Sequence, residues 1–582
     1  MNIETLEQTP RIRRLACSHQ LISGLLALAL MVVGLPTVTN GMPPHPELRR
    51  QIASSAAAES QYLARLHRMR SMGVDAPDTA LSEYLGELTE PGSAGATAPF
   101  AVAVLLVDFD DNSHGVAPGY FDTLLFDSTG PSMRSYYDEV SGSRIDLVTV
   151  NSPSNTGWYR APEAYSYYVA GEKGIYGDYP NNVQGLVEDL VDLADADVDF
   201  SRYDNNGDGV VDALIVVHAG RGAEYSGSVD DIHSHKWAIY PREKDGVYIQ
   251  TYTMQPEYLL DSIHGDMTIG VFCHELGHVF GLPDLYDVDY SSYGAGKWCL
   301  MSYGSWNGPG RNGSSPAYPS AWCRYRLGYC DVVNIDHNVT GREITAASAG
   351  GAIYRAWSGG ATASAEYFLI ENRQLSGFDS YLPGAGLLIW HIDEDAHNVT
   401  NNNAEWYPGL SGANHYLAAL EQADGGYDLE HHVNSGDGGD PFPGTAGASS
   451  FDQTTLPASD TYLDGATTVA VSNISNSAMI MTADISVGLA LGYEDPPPML
   501  PDDVELGQNY PNPFNPSTTI ELTVRRSCHV AVEIYNIAGR RVRILTDCEA
   551  APGVLQLRWN GTNDAGRQVA TGVYFYLSLI HI

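Results

Sequence analysis

Basic side chains are scarce: 582 residues hold 31 Lys and Arg against 71 Asp and Glu, for a formal net charge of -40. That deficit argues against nucleic acid and anionic membrane surfaces as partners. Membrane-spanning length is missing as well. The N-terminal apolar run from Leu21 to Leu35 is too short for a span, which takes about 20 residues. No Gly-x-Ser-x-Gly elbow occurs anywhere, which removes the usual strand-to-helix serine nucleophile. Cysteine is sparse, seven in all, and none falls between Met42 and Ala98.

What is present begins with an export signature. Arg11, Arg13 and Arg14 precede the apolar run, and small or polar residues follow through Gly41. Residues 1–41 therefore read as a signal peptide cleaved near Asn40 or Gly41, leaving no transmembrane anchor. Cys17 lies before the run and lacks the apolar flank of a lipoprotein site. Its loss leaves six cysteines, enough for three disulfides in an oxidising compartment. Cys528 and Cys548 share one C-terminal unit and are expected to pair, with two more bridges possible among Cys273, Cys299, Cys323 and Cys330.

The string His274-Glu275-Leu276-Gly277-His278-Val279-Phe280-Gly281-Leu282-Pro283-Asp284 carries the chemistry. On a helix His274 and His278 stand one turn apart on the same face, the spacing two imidazoles need to meet one zinc ion. Glu275 is placed to hold the water that zinc polarises, whose pKa falls to about 7. A catalytic zinc usually takes three protein ligands. Gly281 can end the helix and Pro283 prevents its resumption, so the chain turns and brings Asp284 back as the third. Cys273 adjoins a ligand but points off that face.

His-Glu-x-x-His-x-x-Gly-x-x-Asp, followed by Leu285-Tyr286-Asp287 and Trp298-Cys299-Leu300-Met301-Ser302-Tyr303-Gly304-Ser305-Trp306, resembles the secreted immune-inhibitor-A peptidases, a metzincin-like group. The resemblance covers roughly residues 99–487. It implies that Met301 forms a methionine turn beneath the metal and that residues 42–98 are a propeptide. It also places Tyr303 where some metzincins keep a catalytic tyrosine. Without a cysteine in residues 42–98, latency requires another group, such as Glu83, Glu87 or Glu90, or plain blockage.

Phe100 to Phe109 reads as one buried strand and Ala213 to Gly220 as another, with helices around Met133 to Val140 and Val183 to Ala194. The metzincin-like resemblance implies that the second strand borders the cleft, where it can pair with extended substrate. His218 within it reads as structural. Just before it, Asp204, Asn206, Asp208 and Asp212 occupy the first, third, fifth and ninth places of a calcium-type loop with Gly209 at the sixth. Ile215 at the twelfth place makes this a truncated site, and a solvated Asp/Asn turn is the alternative. Asp437 to Pro441 leaves the same choice open.

From Asp331 to Val487 short alternating stretches separated by Gly and Asn suggest a β-sandwich. A Pro-rich linker follows around Glu494 to Pro498. Gln508-Asn509-Tyr510-Pro511-Asn512-Pro513-Phe514-Asn515-Pro516, with strands at Val530 to Tyr535 and Val573 to Leu577, resembles the small Ig-like domain that sorts exported bacterial proteins.

The expected architecture is α+β: signal peptide 1–41, propeptide 42–98, metzincin-like zinc peptidase domain 99–335, β-sandwich accessory domain 336–490, linker 491–503 and Ig-like sorting domain 504–582. The expected function is a bacterial metalloendopeptidase, secreted or held at the cell surface. It would act on protein or peptide substrates, engage export machinery through its C-terminal domain, and carry catalytic zinc and structural calcium. The metal ligands would be His274, His278 and Asp284 for zinc and Asp204, Asn206, Asp208 and Asp212 for calcium, with Glu275 and Tyr303 catalytic. The rival reading is an adhesin or carbohydrate-binding protein with an inert protease-like domain.

Overall fold

The computed structural model describes residues 42–46, 48–49, 81 and 84 and, with short gaps, 98–488 and 504–580. The expected signal peptide, most of the expected propeptide and the linker lie outside the described residues.

The run from Phe100 to Phe109 is two strands, not one. Val102 N–H donates to Val148 O and Ala103 N–H to Ala213 O, so the chain changes neighbours between them. Strand β1 (Ala98–Ala101) pairs in parallel with β3 (Ile145–Val148). Strand β2 (Ala103–Asp108) enters a five-stranded sheet with β4 (Trp158–Arg160), β5 (Leu214–Arg221), β6 (His235–Lys244) and β7 (Val247–Tyr258), in the order β4-β2-β5-β7-β6. Only β6 runs antiparallel to its neighbour.

Helices cover both faces of this sheet, which is why its inner strands read as continuous apolar runs. Val104, Leu106, Ile215 and Val217 join one core with α1 (Gly119–Phe126), α2 (Met133–Val140) and α4 (Ile269–Val279). Leu105, Val107, Leu214 and Val216 join another with α3 (Val183–Ala194). Two helix starts are fixed locally. Ser132 and Ser135 close a capping box on α2, and the Asn182 side chain accepts Gly185 N–H on α3.

The expectation that β5 borders the cleft and pairs with substrate is corrected. Its two edges are taken by β2 and β7, and the outer strands of the sheet are β4 and β6. An apolar strand is as consistent with the middle of a sheet as with its rim.

The second half forms two sheets. One has the order β13-β12-β11-β10-β8, from β8 (Val332–Ile335), β10 (Ile353–Ala356), β11 (Glu366–Arg373), β12 (Gly386–Asp393) and β13 (Ala418–Leu420). The other has the order β14-β15-β9, from β9 (Val339–Thr345), β14 (Ala470–Ser472) and β15 (Ile480–Ser486). Phe368, Ile370, Leu387 and Ile389 face the smaller sheet. Tyr367, Leu369, Leu388 and Trp390 instead join the core that holds Leu276 and Met301. A single core thus crosses the boundary expected at residue 335.

At the C-terminus β16 (Val504–Leu506), β17 (Thr518–Val524) and β20 (Gly553–Trp559) form one small sheet, ordered β16-β17-β20. Strands β18 (Cys528–Asn536), β19 (Arg541–Ala550) and β21 (Tyr574–Ile580) form another, ordered β19-β18-β21. Among the described residues Cys273, Cys299, Cys323, Cys330 and Cys548 are free thiols, against the bridges expected of them. The Cys299 and Cys323 sulfurs lie 4.0 Å apart, and the ladder sets Cys548 opposite Val530. No helix among the described residues is long and apolar enough to cross a membrane.

Candidate metal centre

Helix α4 is buried along its whole length, so every side of it is constrained by a neighbour. Two glycines permit the close approach. A Cβ on Gly270 would lie 2.1 Å from Ser305 O, and one on Gly277 would lie 2.5 Å from Met301 Sδ. The Met301 thioether therefore packs against the helix at Gly277. At the C-terminus Gly281 adopts φ +88° and Leu282 N–H closes onto Gly277 O at 3.0 Å, the six-residue closure of a left-handed cap. Leu285 N–H then donates to Met301 O at 2.7 Å. Asp284 is thereby held beneath the helix it follows.

The three expected zinc ligands come together. The rings of His274 and His278 lie 4.9 Å apart and nearly perpendicular. Asp284 Oδ1 is 3.1 Å from His274 Nε2 and 3.3 Å from His278 Nε2, and all three side chains are fully buried. His274 Nδ1 is 3.0 Å from Leu300 O, and His278 Nδ1 is 2.9 Å from Leu282 O. A carbonyl only accepts, so each Nδ1 carries the proton and each Nε2 presents a lone pair inward.

Neither Nε2 atom and neither Asp284 oxygen has a hydrogen-bond partner. Buried lone pairs left bare are costly unless a cation takes them. Zinc bonds of about 2.0–2.2 Å put tetrahedral ligand atoms about 3.3–3.6 Å apart, close to the spacing found here. The donor set fits the ion.

Glu275, the next residue on α4, is also fully buried. Burial pushes its carboxyl up to about 8. Its Oε1 accepts the backbone N–H of Met42 at 3.0 Å, and Oε2 has no partner. Tyr303 packs its ring against Tyr286 and Tyr293, and it is Tyr286 whose ring faces His274 at 6.4 Å. No role is expected of Tyr286 from residue type alone; its place two residues after Asp284 is the signal that points to it.

The residues after Met42 continue along the site. Trp306 Nε1 donates to Pro43 O at 2.9 Å, His45 Nε2 is 3.0 Å from Arg311 O, and Arg49 Nη2 donates to Tyr290 O at 3.2 Å. Met42, Leu48 and Leu81 are buried, so this segment has more apolar anchoring than its polar composition suggests. Glu83, Glu87 and Glu90 lie outside the described side chains.

The loop from Asp204 to Asp212 spends its oxygens differently. Asp204 accepts the N–H groups of Gly207, Asp208 and Gly209. Asn206 accepts from Asp208 N–H, Asp208 from Val210 N–H, and Asp212 from Asn205 N–H. Among the described residues, the acid groups that converge within 4.8 Å are His274, His278 and Asp284, and a second set of Asp424, Asp437 and Asp440; Asp204, Asp208 and Asp212 do not. Burial, with Asp208 and Asp204 nearby and against the Asn205 hydrogen bonds, raises the Asp212 carboxyl to about 6. His218 is buried and depressed to about 4, mainly by desolvation, as befits a neutral core histidine.

Residues 118–330, which enclose this site, match the catalytic domain of the immune inhibitor A peptidases, family M6. The pre-pro-metalloprotease PrtV of Vibrio cholerae is 33% identical over 284 residues, covering 39% of this chain and 29% of PrtV. Immune inhibitor A of Bacillus thuringiensis subsp. alesti is 30% identical over 259 residues, 36% of each chain. The matched stretch thus spans about a third of the length of these relatives. Dimeric latent PorU of Porphyromonas gingivalis, a solved structure, is similar over 34% of this chain and 17% of its own at 15% identity, with a TM-score of 0.13, too low to bear on the fold.

Proposed function

From the match of residues 118–330 to the immune inhibitor A peptidase catalytic domain, we propose a secreted zinc metalloendopeptidase that hydrolyses peptide bonds in extracellular proteins. The observation that carries this reading is the convergence of bare, buried Nε2 and carboxylate atoms beside Glu275. Zinc held by His274, His278 and Asp284 would polarise a water molecule and offset negative charge on the scissile carbonyl. Leu300 O and Leu282 O fix the two imidazoles with Nε2 inward. Glu275 takes a proton from the attacking water and returns it to the leaving amine, acting first as base and then as acid.

The test is hydrolysis of a peptide mixture before and after a chelator, with zinc added back. Activity lost to the chelator and restored by zinc supports the proposal. Undetectable hydrolysis in a zinc-loaded, trimmed protein would favour the inert adhesin. Tyr303→Phe addresses the second catalytic candidate: a lower kcat at constant zinc content assigns its hydroxyl to the reaction, and unchanged kinetics leaves it in the aromatic stack.

The remaining assignments belong to the same proposal. Residues 42–98 act as a propeptide, because the segment from Met42 bonds to Glu275 and must leave for a substrate to reach that carboxylate. The run from Leu21 to Leu35 with its preceding arginines supports export, and the C-terminal pair of small sheets is proposed as an Ig-like sorting domain. Calcium is proposed at Asp204, Asn206, Asp208 and Asp212, where it would relieve repulsion among the carboxylates.

A further inference from the structure

We propose that the metal centre is framed from outside the peptidase segment, with Arg373 on β11 as a positioning residue for His274. The inference rests on the zinc reading above.

Arg373 is fully buried. Its Nε and Nη2 donate to both oxygens of Asp379 at 2.5 and 2.7 Å, and Nη1 donates to Glu371 at 3.2 Å. Arg324 pairs with the other Glu371 oxygen. Two arginines and two carboxylates therefore cancel in charge, the condition under which a buried guanidinium is tolerated.

This cluster holds the loop that carries Leu300. Arg373 Nη1 reaches Trp298 O at 3.4 Å and Nη2 reaches Tyr318 O at 3.5 Å. Asp379 Oδ1 accepts Tyr318 N–H at 2.9 Å. Tyr318 O in turn accepts Leu300 N–H at 3.2 Å, and Leu300 O is the acceptor for His274 Nδ1. A continuous line of hydrogen bonds runs from the guanidinium to the imidazole that presents its Nε2 to zinc.

The same loop is tied to the second half of the chain at four more points. Tyr416 OH donates to Ser292 Oγ at 2.7 Å, and Trp298 Nε1 to Asp440 Oδ2 at 2.9 Å. Tyr293 N–H donates to Leu429 O at 2.9 Å, and Lys297 N–H to Ser435 O at 2.8 Å. Gly296, at φ +56°, allows that last approach, since a Cβ there would lie 2.6 Å from Ser435 O. The stretch joining Asp284 to Met301 is consequently shaped by residues beyond 366. The line from Arg373 reaches His274 only through Leu300, so the role is orientation and not chemistry.

The experiment compares full-length parent, Arg373→Lys and His278→Ala. Zinc affinity is measured by competition with a chromophoric chelator, and the thermal midpoint is measured with and without metal. Lysine keeps the charge and loses the bidentate fork. Arg373→Lys should weaken zinc binding about tenfold, the lower end for groups that orient metal ligands, beyond any change in the midpoint of the metal-stripped form. A purely structural arginine would lower the midpoints of both forms and leave zinc affinity unchanged. Parental affinity in Arg373→Lys overturns the proposal while the zinc reading stands; a parent that takes up no zinc overturns both. Should Arg373→Lys fail to fold, Trp298→Phe, which removes the indole link to Asp440 together with some buried ring volume, carries the same expectation, and parental affinity there overturns the proposal equally.

Discussion

The α4 site and the loop from Asp204 to Asp212 both assemble metal-binding residue types at cation-compatible spacings, yet the fold uses their polar atoms in opposite ways. At α4 the outer nitrogens are satisfied by Leu300 O and Leu282 O, while the inner nitrogens and both Asp284 oxygens are left bare at full burial. In the loop the side-chain oxygens accept backbone N–H groups, so the turn is held without an ion. Residue type alone does not separate these cases. The difference is whether folding leaves lone pairs that only a cation can take. One site presents lone pairs that a cation would take; the other is closed by its own backbone.

Substitutions can break or sharpen that contrast. The largest effect is expected from His278→Ala, which removes one of two imidazoles and should abolish both stoichiometric zinc and hydrolysis. Zinc retained by elemental analysis would remove His278 from the ligand set. Next is removal of residues 42–97, which frees Glu275 from Met42 and should raise kcat/KM on a fluorogenic peptide several-fold at matched zinc content. Equal values would reject inhibition by this segment, and a trimmed form that cannot fold would make it part of the architecture.

Paired glycine substitutions give smaller effects with different causes. Gly277→Ala forces Met301 aside and should cost about 1–3 kcal/mol in overpacking, with zinc affinity falling as well. Gly209→Ala meets nothing within 4 Å but must adopt φ +87°, at a cost of about 1–2 kcal/mol of backbone strain, with zinc unaffected. Similar zinc loss in both would erase the distinction. The smallest effect belongs to the loop's ion. Calcium at 100 times its Kd should add about 2.7 kcal/mol by binding the folded state, and Asp208→Ala should remove most of that. An unchanged midpoint in metal-stripped protein would leave the loop a hydrogen-bonded turn.

What the sequence made legible was local. Helices at Met133–Val140 and Val183–Ala194 fall where their apolar spacing and caps put them, and Gly281 ends α4 because a positive φ is needed there. The convergence of His274, His278 and Asp284 was legible because helical spacing and one turn suffice to specify it. The rest depended on partners distant in sequence. The switch of neighbours at Val102, the central place of β5 and the unbonded pair Cys299 and Cys323 are decided by register and approach. Two further cases, Met42 on Glu275 and Arg373 behind Trp298, join residues separated by 233 and 75 positions. No periodicity announces contacts of that kind.

The most direct test of the central claim is Glu275→Gln in the trimmed protein, assayed for zinc and for peptide hydrolysis together. Removing the proton carrier while leaving His274, His278 and Asp284 in place should keep about one zinc per chain and lower kcat by several orders of magnitude. Near-parental turnover in a zinc-loaded Glu275→Gln protein would contradict the account.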